Sequence, residues 1–311
     1  MALSPRLLPV CLVFCLVPRV EEARAGAPEG VAAPATDPVA VHGGTPNETC
    51  AWPTAVAVSG GNSLCTGTLV HPRVVMFAAH CGGGNKTILF GEDITKPTKT
   101  VKPDLCLVNP DYAGVNDQEH DWGFCRLSDA ITDLPVTPVV YGCETEIVFV
   151  GQTAAVTGFG ITEEGGNAGI KNWGLTPIRN VGSFSADVGG GNDPGICPGD
   201  SGGPAFVKYP DGSWHTFGIA STLTGQCGGV GTHSLTWNAV PWVEQESGID
   251  ITVCHDQDGT WNPTHKCTNF YAGEAGVGVG ERVAHLGREL DRVGHREGPA
   301  AQAGLEVFAV E

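Results

Sequence analysis

A serine at position 201 lies in the stretch Cys-Pro-Gly-Asp-Ser-Gly-Gly-Pro, which covers residues 197–204. Its three glycines allow a tight, strained turn and the close approach of another backbone or a substrate. Such a turn would expose the Ser201 hydroxyl and point the amides of Gly199 and Ser201 at one place, as in an oxyanion hole. An ordinary glycine-rich surface turn is the alternative. Because other residues could activate this serine, the stretch predicts a nucleophile.

Two residues have the types that would activate it. His80 ends an apolar run and follows two small alanines. Asp121 opens another apolar run, so we expect it to be partly buried, where a carboxylate stays ionised only when it is paired or hydrogen-bonded. A histidine Nδ1–H is a suitable partner for that carboxylate. Three other aspartates lie in polar loops, where we expect them to be solvated: Asp104, Asp111 and Asp117.

The composition favours an all-β fold. The chain has 311 residues, 45 glycines and 16% charged residues, which is typical of many short strands joined by turns. One convincing helix is expected near residues 240–246, with Asn238 as its cap. A net charge of −17 disfavours nucleic-acid binding. The predicted strands are residues 52–58, 65–70, 74–80, 87–90, 105–108, 122–127, 147–150, 154–159, 205–208, 214–221 and 231–235.

The first 40 residues resemble an export leader. Residues 1–25 have a basic start, a short apolar run and an Ala-Arg-Ala end, which is the pattern of a secretory signal peptide. Residues 26–40 are rich in alanine and proline and predict a pro-segment. We therefore expect a secreted or extracellular protein, periplasmic if a bacterial host retains it, with no membrane segment after signal removal. Ten of the 12 cysteines lie beyond the signal and predict five disulfides.

His80, Asp121 and Ser201, in that order and in these contexts, resemble the trypsin/chymotrypsin family of serine endopeptidases over residues 41–248. The Gly-x-Ser-x-Gly pattern alone also fits an α/β-hydrolase, but that fold needs the order serine, acid, histidine. The resemblance implies two six-stranded antiparallel Greek-key barrels with the active site between them and a short C-terminal helix. It also implies a monomer that acts on protein or peptide substrates with no cofactor and no metal.

The resemblance assigns the chemical roles. It makes Ser201 the nucleophile, His80 the general base and acid, and Asp121 the residue that orients the imidazole. The amides of Gly199 and Ser201 would form the oxyanion hole. A catalytically silent relative that serves as a binding module is the alternative.

Activation is also implied by the resemblance. Val41-His42-Gly43-Gly44 is similar to the start of a mature enzyme of this family, whose new amine would pair with Asp200. The preceding residue is Ala40, so a trypsin-like activity is not expected to cut this bond. We expect cleavage after Ala40 by another protease, or by this protein itself if it prefers small residues.

The substrate pocket lacks the charge typical of trypsin. Gly195 stands six residues before the nucleophile, where trypsin-like enzymes carry an acidic residue. We therefore expect an apolar P1 side chain, because arginine or lysine would be desolvated without a partner. Leu223 is expected to narrow the pocket towards small or medium side chains. The predicted pocket residues are Gly195, Ile196, Ser221, Thr222, Leu223 and Gly229.

The disulfide pairing is partly implied by the family and partly open. The resemblance implies the bonds Cys65–Cys81 and Cys197–Cys227, and spacing suggests a local bond between Cys254 and Cys267. Two further bonds with three possible connectivities are expected among Cys50, Cys106, Cys125 and Cys143.

The C-terminal region is divided into a disulfide-closed loop at residues 249–271 and a disordered or weakly helical tail at residues 272–311. Residues 256–259 faintly resemble a calcium loop, but the later glutamate ligand is missing and a solvated turn is the preferred interpretation.

Overall fold

The computed structural model describes residues 41–61, 63–161, 168–256, 259, 260 and 262. Within these residues the chain forms one α-helix, α1 (Thr236–Ser247), and none of the described helices is long and apolar enough to cross a membrane. Among the same residues there are fourteen strands: β1 (Thr45–Pro46), β2 (Ala55–Gly60), β3 (Ser63–His71), β4 (Val74–Phe77), β5 (Thr87–Phe90), β6 (Lys99–Val101), β7 (Pro103–Val108), β8 (Gly123–Leu127), β9 (Thr153–Gly158), β10 (Asn172–Val181), β11 (Ser185–Val188), β12 (Pro204–Lys208), β13 (Trp214–Leu223) and β14 (Gly231–Leu235).

The first sheet has the order β6-β5-β2-β3-β4-β8-β7, and its neighbouring strands are antiparallel. Strands β6 and β7 lie at its opposite edges, although Lys102 alone separates them along the chain. The sheet must therefore curl until its edges meet, and it becomes a six-stranded barrel when β6 and β7 are counted as one bent strand. Phe77 and Phe124 are fully buried in its interior.

The second sheet has the order β1-β10-β11-β14-β13-β12-β9, and β9 also pairs with β10. The six strands from β9 to β14 thus form a closed ring, and the two-residue strand β1 is added to the outside of β10. Phe217 and Leu235 are fully buried in the core of this barrel. These two sheets and the C-terminal helix confirm the predicted architecture of two antiparallel β-barrels.

Two local predictions were wrong. Residues 147–150 form no strand: Ile147 ends a 3-10 turn, and the side chains of Phe149 and Val150 are 53% and 61% exposed. Helix α1 begins directly after β14, so Asn238 lies inside its first turns and is not the cap. The side-chain amide of Asn238 instead donates a hydrogen bond to the carbonyl of Ser183 (3.0 Å).

The helix and the segment after it pack on the first barrel. Val240 and Val243 are buried in the same core as Phe124, and so are Ile251 and Val253 beyond the helix. Gly248, in the left-handed region at φ 69°, ends the helix with a hydrogen bond from its N–H to Glu244 O.

Candidate active site

His80 lies in a 3-10 turn, Ala79–Cys81, that follows β4. Its backbone N–H donates a hydrogen bond to Asp121 Oδ1 (2.9 Å), and its Nδ1 lies 2.8 Å from Asp121 Oδ2. Backbone and ring therefore hold the same carboxylate, which fixes the orientation of the imidazole. The side chain of His80 is 23% exposed, so its other ring nitrogen can serve a reaction at the surface.

Asp121 precedes β8 and its side chain is 1% exposed. Besides the two contacts with His80, its Oδ2 accepts a hydrogen bond from the hydroxyl of Ser221 (2.5 Å). Three donors thus compensate the burial of this carboxylate, as an ionised group in such a place requires. Ser221 was expected in the pocket wall, and the structure places its hydroxyl on Asp121.

Ser201 lies in the loop before β12 and is half-buried. Its carbonyl accepts a hydrogen bond from the N–H of Thr66 (2.8 Å), and the Sγ of Cys81 lies 3.9 Å from the same oxygen. The next amide, that of Gly202, donates to Ala220 O (2.7 Å), directly before Ser221. The loop is therefore fixed between β3 and β13, beside the residue that follows His80.

The turn around Ser201 has the backbone that its glycines predict. Gly199 has φ 100°, and a Cβ at this position would lie 2.7 Å from Gly160 Cα. Among the residues that the structure describes, the N–H groups of Gly199 and Ser201 donate no hydrogen bond, whereas those of Asp200 and Gly202 do. Two amides of this loop thus have no acceptor among the described residues.

Asp200 is fully buried and is held by backbone amides. Oδ1 accepts from Gly160 N–H (2.8 Å), Oδ2 accepts from Cys197 N–H (2.8 Å), and Val41 contributes a third backbone hydrogen bond. Burial raises the pKa of Asp200 to about 6, although these three hydrogen bonds act to lower it. The structure thus brings Val41 to Asp200, as the resemblance implies for the activation pair.

Most of the predicted pocket residues lie together. A Cβ at Gly195 would lie 2.9 Å from Gly229 O, and Gly228 N–H donates to Ile196 O (3.1 Å). On the facing side, Leu223 pairs with Gly231 across β13 and β14, and Thr222 precedes it.

The disulfides agree in part with the expected pattern. The chain contains the bonds Cys65–Cys81, Cys197–Cys227 and Cys106–Cys125. Cys254 is also disulfide-bonded, and its expected partner, Cys267, lies outside the described residues. The second bond expected among the remaining cysteines does not form: Cys50 and Cys143 are free and exposed, in separate turns before β2 and before β9.

One group of metal-ligand types lies in the site. The ligand atoms of Cys65, His80 and Cys81 lie within 4.8 Å of one another. Both sulfur atoms are joined in a disulfide, and a metal needs thiolates, so this group does not form a metal site.

The sequence resembles known serine proteases. Mouse vitamin K-dependent protein C is 28% identical over 234 residues, which cover 64% of this chain and 50% of that protein. A trypsin-like protease of Streptomyces glaucescens is 28% identical over 205 residues, which cover 58% of this chain and 72% of that protein. Human granzyme M is 26% identical over 169 residues, which cover 46% of this chain and 64% of that protein. The chain spans about half the length of the protein C relatives it matches.

A solved structure and a family model complete the comparison. Neuropsin, described as a serine protease expressed in the limbic system of mouse brain, aligns with a TM-score of 0.57 and 22% identity, over 66% of this chain and 99% of its own. That likeness shows a common fold. The sequence model described as Trypsin matches residues 41–243. The chain therefore belongs to the trypsin family.

Proposed function

We propose that this protein is a secreted serine endopeptidase that uses Ser201, His80 and Asp121. The observation that carries the proposal is the 2.8 Å contact between His80 Nδ1 and the buried carboxylate of Asp121, beside the loop that presents Ser201. A histidine held in this way has its second ring nitrogen free to accept a proton from a nearby nucleophile.

The proposed reaction proceeds through an acyl-enzyme. Ser201 Oγ attacks the scissile carbonyl while His80 Nε2 accepts the hydroxyl proton, and His80 then passes that proton to the leaving amine. Asp121 keeps the proton of the neutral ring on Nδ1 and stabilises the imidazolium. Water then attacks the ester with His80 again as base, which releases the acid and restores Ser201.

The amides of Gly199 and Ser201 are proposed to stabilise the oxyanion. Each such donor contributes roughly 3–4 kcal/mol in related sites. Support comes from their lack of any other hydrogen-bond acceptor among the described residues.

Activation is proposed to follow cleavage between Ala40 and Val41. Cleavage would turn the neutral amide of Val41, which lies next to the buried carboxylate of Asp200, into an ammonium group. Asp200 directly precedes the nucleophile and lies two residues before Gly202. Because a buried unpaired carboxylate costs several kcal/mol, this ion pair would order the oxyanion loop. N-terminal sequencing of active protein tests this step, and active protein that begins at Gly26 would contradict it.

The proposed P1 preference is apolar. Gly195 offers no carboxylate to an arginine or lysine side chain, while Ile196 and Leu223 offer apolar surface to an uncharged one. Faster cleavage after arginine than after leucine or alanine in matched peptides would contradict this preference.

Export is proposed from the sequence of residues 1–25, which lie outside the described residues, as do residues 26–40 and 272–311. The disulfides of the described chain are consistent with an oxidising compartment. We also propose residues 41–248 as the protease domain, with residues 249–271 as its C-terminal loop.

A fluorophosphonate probe tests the proposed function directly. N-terminally processed protein should be labelled at Ser201, and Ser201→Ala and His80→Ala should each abolish labelling. His120→Ala is a matched control, because His120 contacts another aspartate, Asp117, at 3.1 Å. If processed, folded protein is not labelled, the catalytically silent alternative is correct.

A further inference from the structure

The side chain of Ile196, one of the predicted pocket residues, reaches the backbone of β14. Ile196 is 5% exposed and belongs to the core of the second barrel. Gly231 lies opposite on β14, and a Cβ there would lie 2.8 Å from Ile196 Cγ1 and 3.0 Å from its Cδ1. The isoleucine therefore packs directly on the backbone of the facing wall.

A buried histidine, His233, lies next to the contact between Ile196 and Gly231. His233 is two residues beyond Gly231 and shares its face of β14, and the Cβ at Gly231 would also lie 3.1 Å from His233 Cε1. His233 is fully buried, and its Nε2 has no hydrogen-bond partner among the residues that the structure describes. Ile196 and His233 thus approach the same point on the backbone of β14, and the histidine lies in the core beyond the isoleucine.

The backbone of Ile196 is firmly held. Its carbonyl accepts the hydrogen bond from Gly228, and the next residue, Cys197, is joined to Cys227 by a disulfide. The side chain cannot leave the pocket by a movement of its backbone unless the opposite wall moves as well. A wall that is held in this way gives the proposed pocket a fixed depth.

We propose that Ile196 sets the depth of the P1 pocket, so that the substrates are peptide bonds after alanine and similarly small residues. This inference rests on the proposed peptidase function and deepens it. One methylene too many in a closed apolar pocket lowers kcat/KM roughly ten- to two-hundredfold. Leu223, expected at first to narrow the pocket, is then secondary to Ile196.

A preference for small P1 residues would also apply to one peptide bond of this chain. Ala40 provides the small P1 residue of the bond that frees Val41. Active enzyme should therefore cut a peptide that spans this bond between these residues, and Ala40→Phe in the peptide should block that cut.

Matched peptides that differ only at P1 test the proposal. For the processed protein we expect kcat/KM after alanine to exceed that after leucine or methionine at least tenfold. Ile196→Ala should reduce this ratio at least tenfold. The variant should also cleave after glutamine faster than after methionine, because the side-chain amide of a P1 glutamine can then donate a hydrogen bond to His233 Nε2. His233→Leu added to Ile196→Ala should remove the advantage of glutamine alone. Ile196→Val, a smaller change, should give an intermediate profile if the alanine variant folds poorly.

Ile178→Ala is the matched control, because Ile178 is 1% exposed in the same core but lies on β10. It should lower stability and leave the P1 profile unchanged. Equal cleavage after alanine and leucine by the wild type would overturn the proposal, and so would an unchanged profile in folded Ile196→Ala. Fluorophosphonate labelling of the same samples separates these results from failure of the peptidase function, since it does not depend on P1.

Discussion

The backbone N–H of Val41 donates a hydrogen bond to the carboxylate of Asp200 while Val41 is still joined to Ala40. Val41 is fully buried and has φ 60°, a conformation that few residues with a side chain adopt. The segment that would become the N-terminus is thus already in place, and cleavage would add a positive charge to an existing contact.

Cleavage should therefore change how stability depends on pH. Burial raises the pKa of Asp200 from 3.8 to about 6, so its contribution to stability is greatest below pH 4 and is lost as the pH rises through 6. The ionised group then destabilises the uncut chain by about 3 kcal/mol. The ammonium of Val41 offsets this loss. Denaturant unfolding of Ser201→Ala protein should show the cut form more stable than the uncut form at pH 7 and the difference shrinking towards pH 4. A constant difference would contradict this prediction.

Ser221→Ala should lower kcat/KM about ten- to hundredfold. The hydroxyl of Ser221 donates to the ionised form of Asp121, and hydrogen bonds to charged groups contribute about 1.5–3 kcal/mol. Steady-state kinetics with a peptide substrate measures the loss. Ser234→Ala is the control: Ser234 is buried as Ser221 is, on the neighbouring β14, and its hydroxyl has no partner among the described residues. Equal losses in the two variants would show that Ser221 has no specific role.

The contact between Ser221 and Asp121 shows what the sequence could not predict. Local signals in the sequence predict His80, Asp121 and Ser201, because each stands next to an apolar run or between glycines. The partner of Asp121 lies 100 residues away, and its position depends on how the end of β13 meets the start of β8. No local pattern encodes that distance.

The absence of β10 from the predicted strands, and the wrong prediction of a strand at residues 147–150, have a similar explanation. In β10, Gly174 and Pro177 interrupt the sequence and suggest a loop, yet both residues pair with β9. The apolar residues 147–150 suggested a strand, but Phe149 is exposed in a turn. Pairing with neighbours, and not local composition, decides these segments.

Gly202→Ala should destabilise the fold by several kcal/mol and abolish activity. Gly202 has φ 82°, and a Cβ would lie 2.4 Å from Thr66 O and 2.8 Å from Ala78 N, both of them backbone atoms. Gly212→Ala separates the clash from the backbone strain, because Gly212 has φ 89° and nothing within 4 Å of its Cβ position. It should cost only about 1–2 kcal/mol. Thermal unfolding of both variants measures the difference, and similar losses would contradict the clash.

The thiols of Cys50 and Cys143 should react in the native protein. Both are free and exposed, whereas three pairs of the described cysteines are joined. Alkylation without reductant, followed by peptide mapping, should label these two residues and leave Cys106 and Cys125 unlabelled. A peptide in which Cys50 and Cys143 are linked would instead restore the bond that the cysteine count suggested.

Glu144→Gln should stabilise the protein at alkaline pH. Burial raises the pKa of Glu144 from 4.5 to about 7, while Oε2 accepts a hydrogen bond from the Tyr209 hydroxyl (3.0 Å) and lies 3.7 Å from His255 Nε2. Its contribution to stability is therefore greatest below pH 4.5 and is lost as the pH rises through 7. Glutamine keeps an acceptor for Tyr209 and cannot ionise. At pH 8 the variant should gain roughly 1–2 kcal/mol, a value reduced for solvent screening because the side chain is 17% exposed.

Denaturant unfolding at pH 4.5 and pH 8 measures this gain. Wild type and Glu144→Gln should be equally stable at pH 4.5 and separate as the pH rises, because only the carboxylate of the wild type loses its proton inside the fold. Glu146→Gln is the control, since Glu146 is an exposed residue of the same 3-10 turn and its replacement removes the same charge. If both variants gain the same stability at pH 8, the effect comes from net charge and not from the partly buried position of Glu144.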